Sequence, residues 1–395
     1  MKRRTYLSAA LVAALAGCST SEESDDGPDS EQPTAQLFDD FENLDAWDVP
    51  LGTLTADQER SYAGSQSARL ESGPDNQFRI VRELDEPRDF TGVRPTMAMA
   101  TEHEADMVIQ LLDEDENRMV FRQRMHSDTP LVHNNFGVDT VDGEPDLSAI
   151  TQVQIIRWTA DDDKGSVWID DLRFAPTPDV GKVMLHFDGG HESTYTRAFP
   201  ILDEYDYPGV AFIVPSRVRE DESATGEHLL TDQLAELSDA GWTIGSHSMH
   251  GQNLTTLSGR DPATEVSDAK AWLEDNGYEE GARYFSYPVG QYNGAVLEAV
   301  SENHSLAFAG RYPSQGAAMN PQLCSRVTGL SAEEARTALD LTAQLGGITS
   351  LTFTRLDGSS QSVLRETVSY VNELESAGDL EVITPKEMED SFVIQ

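Results

Sequence analysis

An apolar run, Val183-Met-Leu-His-Phe187, ends in Asp188-Gly-Gly-His-Glu192. Farther along, Gly245-Ser-His-Ser-Met-His-Gly-Gln-Asn-Leu254 carries two imidazoles, His247 and His250, in a polar turn. Carboxylates and imidazoles are the side chains that move protons near neutral pH and ligate divalent metals. A strand-terminal Asp and a second turn with two His are therefore parts of a site. Each part also has a plainer reading. Asp188 before two glycines is the pattern of a turn former, His247 that of a satisfied polar core residue, and His250 that of a solvated surface residue; Met249 reads as packing.

The surrounding rhythm explains how such residues would be brought together. Val183 to Phe187 and Val210 to Val214 read as buried strands, with helical spacing from Thr194 to Tyr205 between them. A helix over Thr231 to Ala240 follows, then a strand at Trp242-Thr-Ile244. Asp261-Pro262 is an N-cap with proline at the first helical position, opening a helix that runs to Asn276 before Gly277. Strands at Tyr284 to Tyr287, Leu306 to Phe308 and Ile348 to Phe353 alternate with helices around Ala295 to Glu302, Ala332 to Ala343 and Ser362 to Ser376. Repeated βα units imply parallel strands, whose C-terminal ends carry the active groups. Asp188, His247, Pro288 and Thr354 all fall at or just beyond such ends.

The first half reads differently. From Leu37 to about Pro178, short apolar or alternating runs lie between turn residues, as in Gln66-Ser-Ala-Arg-Leu70, Ala105 to Leu112, Arg118 to Phe121, Val153 to Trp158 and Val167 to Phe174. Without long amphipathic helices, this spacing predicts an antiparallel β-sandwich.

Composition sets the environment. With 28 Lys+Arg against 70 Asp+Glu, the formal net charge is −42, and acidic residues are spread along the chain. A distributed excess with few lysines keeps a surface hydrated where salt screens self-repulsion, the pattern of an extreme halophile; an ordinary acidic secreted protein is the alternative. Nucleic acid is excluded as a partner, because no basic face is available for phosphates. Residues 1–18 read as a signal: Lys2, Arg3 and Arg4 precede the apolar Leu7 to Leu15, too short to span a bilayer. Leu15-Ala-Gly-Cys18 resembles a lipobox, in which Cys18 would be lipidated, and Arg3-Arg-Thr-Tyr-Leu7 resembles a twin-arginine signal; Cys18 is otherwise a chance small residue. Residues 19–35 have no apolar periodicity and read as a flexible acidic tether. Cys324 is the other cysteine, which leaves no internal disulfide framework. The expected layout is thus 1–18 signal, 19–35 tether, 36–177 sandwich and 178–395 β/α domain.

The order of motifs in residues 180 to 390 resembles the polysaccharide deacetylase (NodB-homology) family, a distorted β/α barrel that uses a divalent metal to remove N- or O-acetyl groups from glycans. The resemblance implies that Asp188, in His186-Phe-Asp-Gly-Gly190, is the general base and that Gly189 replaces a metal-binding carboxylate. It implies His247 as a metal ligand, with Gly251 where the family has its second ligating His and His250 one position early. Phe285-Ser-Tyr-Pro-Val-Gly-Gln-Tyr-Asn293 resembles the segment that walls the groove. Tyr287, Pro288 and Tyr292 are then either groove wall or core, and Arg326 lines the groove or sits on the surface. Leu351-Thr-Phe-Thr354 places Thr354 at the family's general-acid His. Zinc or a similar ion is the implied cofactor, with Asp188 swinging in, or His191 and Glu192 supplying replacements, for the missing ligands.

The strands at Phe38-Asp-Asp-Phe-Glu42 and Trp168-Ile-Asp-Asp-Leu-Arg-Phe174 resemble the first and last of galactose-binding-like jelly rolls, common among carbohydrate-binding modules. That resemblance implies a structural calcium at Asp39, Glu42, Asp170 and Asp171, hard oxygen donors that calcium prefers; in so acidic a chain, adjacent carboxylates are otherwise a solvated face. The whole is expected to be an N-terminal jelly-roll sandwich followed by a distorted β/α barrel, exported and anchored to the cytoplasmic membrane by lipid, with a carbohydrate partner. Two functions compete. One is a metal-dependent deacetylase, weakened because a missing general acid costs about 10²–10⁴-fold in rate; the other is a glycan-binding pseudoenzyme on the same scaffold.

Overall fold

The computed structural model describes residues 33–73, 77–158 and 165–394. The signal, Cys18 and most of the tether lie outside the described residues.

The first half forms two antiparallel sheets from twelve strands: β1 (Gln36–Asp39), β2 (Asp48–Leu51), β3 (Thr53–Asp57), β4 (Ser67–Glu71), β5 (Gln77–Arg88), β6 (Val93–Thr101), β7 (Ala105–Leu112), β8 (Arg118–Met125), β9 (Val132–Asn135), β10 (Gly137–Asp142), β11 (Ile150–Trp158) and β12 (Val167–Pro176). One sheet runs β3-β4-β12-β6-β9 with β1 on β12, the other β10-β8-β7-β11-β5-β2. Period-two alternation puts one face of each sheet into a shared core. Along β7, Met107, Ile109 and Leu111 join Phe78, Phe121, Ile155, Met97 and Ile169 there, while Val108 packs with Val120 and Ile156. Each fully buried side chain of this size contributes about 1.5–3 kcal/mol.

The second half is a curled parallel sheet of eight strands: β13 (Gly181–Asp188), β14 (Val210–Ile213), β15 (Thr243–Ser246), β16 (Tyr284–Ser286), β17 (Leu306–Phe308), β18 (Val327–Thr328), β19 (Ile348–Phe353) and β20 (Leu380–Val382). Its order is β17-β16-β15-β14-β13-β19-β18, with β20 on the N-terminal half of β13. The intervening helices are α1 (Phe199–Asp203), α2 (Thr231–Asp239), α3 (Pro262–Asp275), α4 (Gly294–Asn303), α5 (Ala332–Leu345), α6 (Gly358–Ala377) and α7 (Pro385–Ser391). Asp261 caps α3 by accepting from the Ala263 amide. Helix α6 starts earlier than its apolar spacing predicts, because the Asp357 carboxylate accepts from the Ser359 and Ser360 amides and satisfies the first turn. Among the described residues no helix is long and apolar enough to cross a membrane.

Sandwich and curled sheet share an intimate seam. Arg94 of β6 is buried, and burial lowers its pKa to about 10. Its guanidinium donates to the Ser314 and Leu345 carbonyls at 3.0 and 2.6 Å. Asn135 of β9 donates to the Asn320 carbonyl at 2.8 Å and accepts from the Met319 amide at 3.0 Å. Leu341 and Leu345 of α5 pack on the sandwich core. The sandwich therefore braces the loop after β17, which reaches the carboxyl edge of the parallel sheet.

The four acids expected to hold calcium are engaged by separate protein groups. Asp39 accepts from the Phe41 amide at 2.7 Å and the Trp47 indole at 3.1 Å, and it pairs with Arg82. Glu42 accepts from Ser65. Asp170 accepts from the Tyr62, Ala63 and Asp171 amides, and Asp171 from His133 at 2.9 Å and Arg173 at 2.7 Å.

Candidate functional site

Parallel pairing aligns the carboxyl ends of β13, β14, β15, β16 and β19 on one edge, and a cavity of about 430 Å³ opens there. Asp188, Gly189, His191, His247, Gly251, Arg326 and Thr354 all line it.

At its floor lies a buried polar chain. Arg326, just before β18, donates from Nη1 to Asp188 Oδ2 at 2.7 Å and to Ser286 Oγ at 2.6 Å, and from Nη2 to the Tyr287 carbonyl at 3.1 Å. Ser286, the last residue of β16, donates to Asp188 Oδ1 at 3.0 Å. Its single hydroxyl proton being used, Ser286 accepts from His247 Nδ1 at 3.2 Å. This network assigns His247 the Nδ1–H tautomer, with Nε2 unprotonated. Burial opposes the charge on Asp188, but Arg326 and His247 outweigh it and hold the carboxyl below its usual range. Burial, with Arg326 adding to it against the pull of Asp188, lowers His247, which is therefore neutral at pH 7.

The residues present do not fit the metal that the family resemblance implies. His250 turns out of the cavity: its Nδ1 lies 2.9 and 3.0 Å from the two Glu265 oxygens, and its amide donates to the same carboxylate at 3.1 Å. The bulky, positive-φ turn that would return a His to position 251 is closed as well. A Cβ on Gly251, at φ +64°, would lie 2.6 Å from Val214 Cγ2. At Gly189, φ is +92° and a Cβ would stand 3.3 Å from the His191 ring. Asp188, the expected substitute ligand, is held by Arg326, and Glu192 pairs with Arg219 at 2.9 Å. Among the described residues no group of three or more His, Cys, Asp or Glu is placed to hold a metal ion. His191 lies instead against His228, the rings stacked at 4.9 Å, and both imidazoles are pulled down, chiefly by burial, His228 to about 4.

Two choices left open by the sequence are decided here. Tyr287 and Tyr292 are not groove wall: they are buried in a core cluster with Phe285, Val296 and Leu297, and Pro288 is buried beside them. The wall is formed by their neighbours Val289 and Gly290. Arg326 takes the groove reading over the surface one: it lines the cavity and is also the buried partner of Asp188. Sequence reasoning missed Arg217, Arg311 and Arg355, which also line this cavity, and Ser286, buried beneath it in contact with Asp188, Arg326 and His247. Their positions just after strands were the available signal, but nothing in single-residue spacing distinguishes them from surface arginines.

Residues 175–306 match the polysaccharide deacetylase family. The match ends at the start of β17, so Arg311, Arg326 and Thr354 come from chain beyond it. Over 120 residues the chain is 29% identical to a putative polysaccharide deacetylase of Bacillus subtilis, covering 30% of this chain and 41% of that protein. Over 129 residues it is 26% identical to the poly-β-1,6-N-acetyl-D-glucosamine N-deacetylase of Staphylococcus aureus, covering 30% of this chain and 44% of that one. The chain thus spans about two-fifths of the length of these curated relatives. Among solved structures, a family 4 acetyl xylan esterase from Clostridium thermocellum in complex with a cobalt ion overlaps 52% of this chain and 89% of its own, at TM-score 0.38 and 20% identity.

Proposed function

We propose that the deacetylase-like half of this chain binds an extracellular glycan at the carboxyl edge of its parallel sheet without metal-dependent hydrolysis. The observation that carries this reading is the Arg326–Asp188 pair: the carboxylate that would serve as base or ligand is spent on a buried guanidinium at 2.7 Å. At Gly251 a Cβ would stand 2.6 Å from Val214 Cγ2, so that turn does not accept the missing His without a shift of Val214, and at Gly189 a Cβ would press on the His191 ring at 3.3 Å in a positive-φ turn that disfavours any side chain.

The chain's own residues still present a polar, walled cavity suited to hydroxyl-rich ligands. Ser286 and Arg326 hold Asp188 ionised, and Thr354 supplies a hydroxyl where acid catalysis would need a titratable group. A second reading, slow hydrolysis of N- or O-acetyl groups, is supported by Asp188 and His247 lining one cavity.

Titrating the full chain with Zn²⁺, Co²⁺ or Ni²⁺ in high salt is expected to show no near-stoichiometric site by calorimetry, and incubation with acetylated oligosaccharides no acetate release. The pair of changes Gly189→Asp and Gly251→His is expected not to create a metal site unless Val214 is also cut back. Stoichiometric binding with acetate release that is abolished by Asp188→Asn would establish the hydrolytic reading instead.

The leader supports export and lipid anchoring at Cys18, with the acidic composition supporting a high-salt setting. Expression in a halophilic host is expected to place the protein in the membrane fraction, and Cys18→Ala to release it into the soluble or secreted fraction.

A further inference from the structure

Four arginines line the cavity, Arg217, Arg311, Arg326 and Arg355, against a single carboxylate, Asp188. Two of the four are neutralised within the protein. Arg326 pairs with Asp188 at 2.7 Å and Arg355 with Glu227 at 2.8 Å. Among the described residues, the side chains of Arg217 and Arg311 make no hydrogen bond or ion pair.

Among the described residues Arg79 and Arg197 likewise hold no carboxylate, but Arg217 and Arg311 are without one at the cavity that contains Asp188 and His247. The chain carries 70 acidic residues against 28 basic ones, so an exposed arginine has carboxylates within easy reach. Arg118, Arg283 and Arg365, toward the surface, each hold one, as does the half-buried Arg122. Arg217 sits at the end of the turn after β14 and Arg311 in the loop after β17, the loop that the sandwich braces through Ser314 and Asn320. Both are thus held at the rim by well-packed elements. On the floor, Arg326 is 3% exposed, and its Nε has no protein partner.

A cleft lined by one sign of charge focuses its field and concentrates ligands of the opposite sign, and here it does so within a molecule whose general surface repels them. Guanidinium groups match carboxylate and sulfate oxygens bidentately, a geometry that a neutral acetylated sugar does not need. We propose that this cavity selects a saccharide that bears negative charge, a carboxylate or a sulfate ester, through the unpaired Arg217 and Arg311. The inference rests on the glycan-binding reading of the same cavity and adds the chemical class of the sugar.

Calorimetric titration of the full chain with three probes tests it: a tetragalacturonate for the carboxylate, a sulfated carrageenan tetrasaccharide for the sulfate ester, and tetra-N-acetylchitotetraose as the neutral sugar. At least one anionic probe is expected to bind about 10-fold or more tightly than the neutral one, the scale of one charge-assisted contact. Which anion binds distinguishes the two sources of charge. The double variant Arg217→Gln/Arg311→Gln is expected to erase the preference while its thermal unfolding midpoint stays unchanged. Arg217→Lys/Arg311→Lys is expected to keep part of it. Equal or tighter binding of the neutral probe, or a full anionic preference in the Gln variant, overturns the inference and leaves the glycan-binding reading standing. Failure of all three probes to bind overturns both.

Discussion

Replacing Arg326 by Met is expected to cost about 3–5 kcal/mol of folding stability, because it leaves the Asp188 carboxylate buried without its partner. Asp188 is 6% and Arg326 3% exposed, and the pair is 2.7 Å apart. The cost should depend on pH in a defined direction. In the folded wild type, Arg326 and His247 hold Asp188 below its ordinary pKa despite burial. Without Arg326, burial dominates and the folded pKa rises above the unfolded one. A raised carboxyl pKa means that stability is retained below the unfolded pKa and lost as pH rises through the folded value. The deficit of the variant relative to wild type is therefore expected to be larger at pH 8 than at pH 4.5. Urea unfolding of both proteins at the two pH values measures this, and adding Asp188→Asn to the variant should recover much of the loss. A deficit below about 1 kcal/mol at pH 8, the range of an exposed pair, would show that the two groups are not the buried couple described.

Acidification from pH 7.5 to 5.0 is expected to remove about 4 kcal/mol through two buried imidazoles, about 2 kcal/mol each at 1.36 kcal/mol per pH unit below pH 6.5. His186 of β13 lies edge-on to Phe212 and Phe308, with ring centroids 5.1 and 4.6 Å away and no partner on either nitrogen. His304, which ends α4, meets the Ala282 carbonyl at 2.9 Å through Nδ1 and leaves Nε2 unpartnered. Burial pulls both down to about 3. Because the unfolded chain takes up protons at pH 6.5 and the folded chain does not until about pH 3, stability falls as pH falls through that window. His186→Leu, which suits the apolar surroundings, should lose about 2 kcal/mol less than wild type over the same interval. An equal loss in the variant would show that His186 is not a neutral buried group.

The parallel strands and most of their helices could be read from period and caps. β17 and β19 fall where apolar runs placed them, and Asp261 with Pro262 located the start of α3. Helix α6 was misjudged at its first turn because the Asp357 cap, not apolar spacing, decides where it begins. Asp188, His247, Gly251 and Thr354 could be assigned to one cavity because strand ends in a parallel sheet share an edge, a rule of topology that needs no side-chain detail.

Local pattern by itself determined which residues could stand at that edge and how acidic the surroundings are. Only the tertiary structure decided what those residues do. Arg326 lies 138 residues from Asp188, and their pairing depends on β18 reaching β19 beside β13. His250 is turned to Glu265 by the placement of α3, and Tyr287 and Tyr292 are drawn inward by the cluster around Val296. Arg217 and Arg311 stay unpaired because packing holds their loops at the rim. Side-chain direction and charge pairing are set by neighbours distant in the chain, and residue order carries no direct record of them.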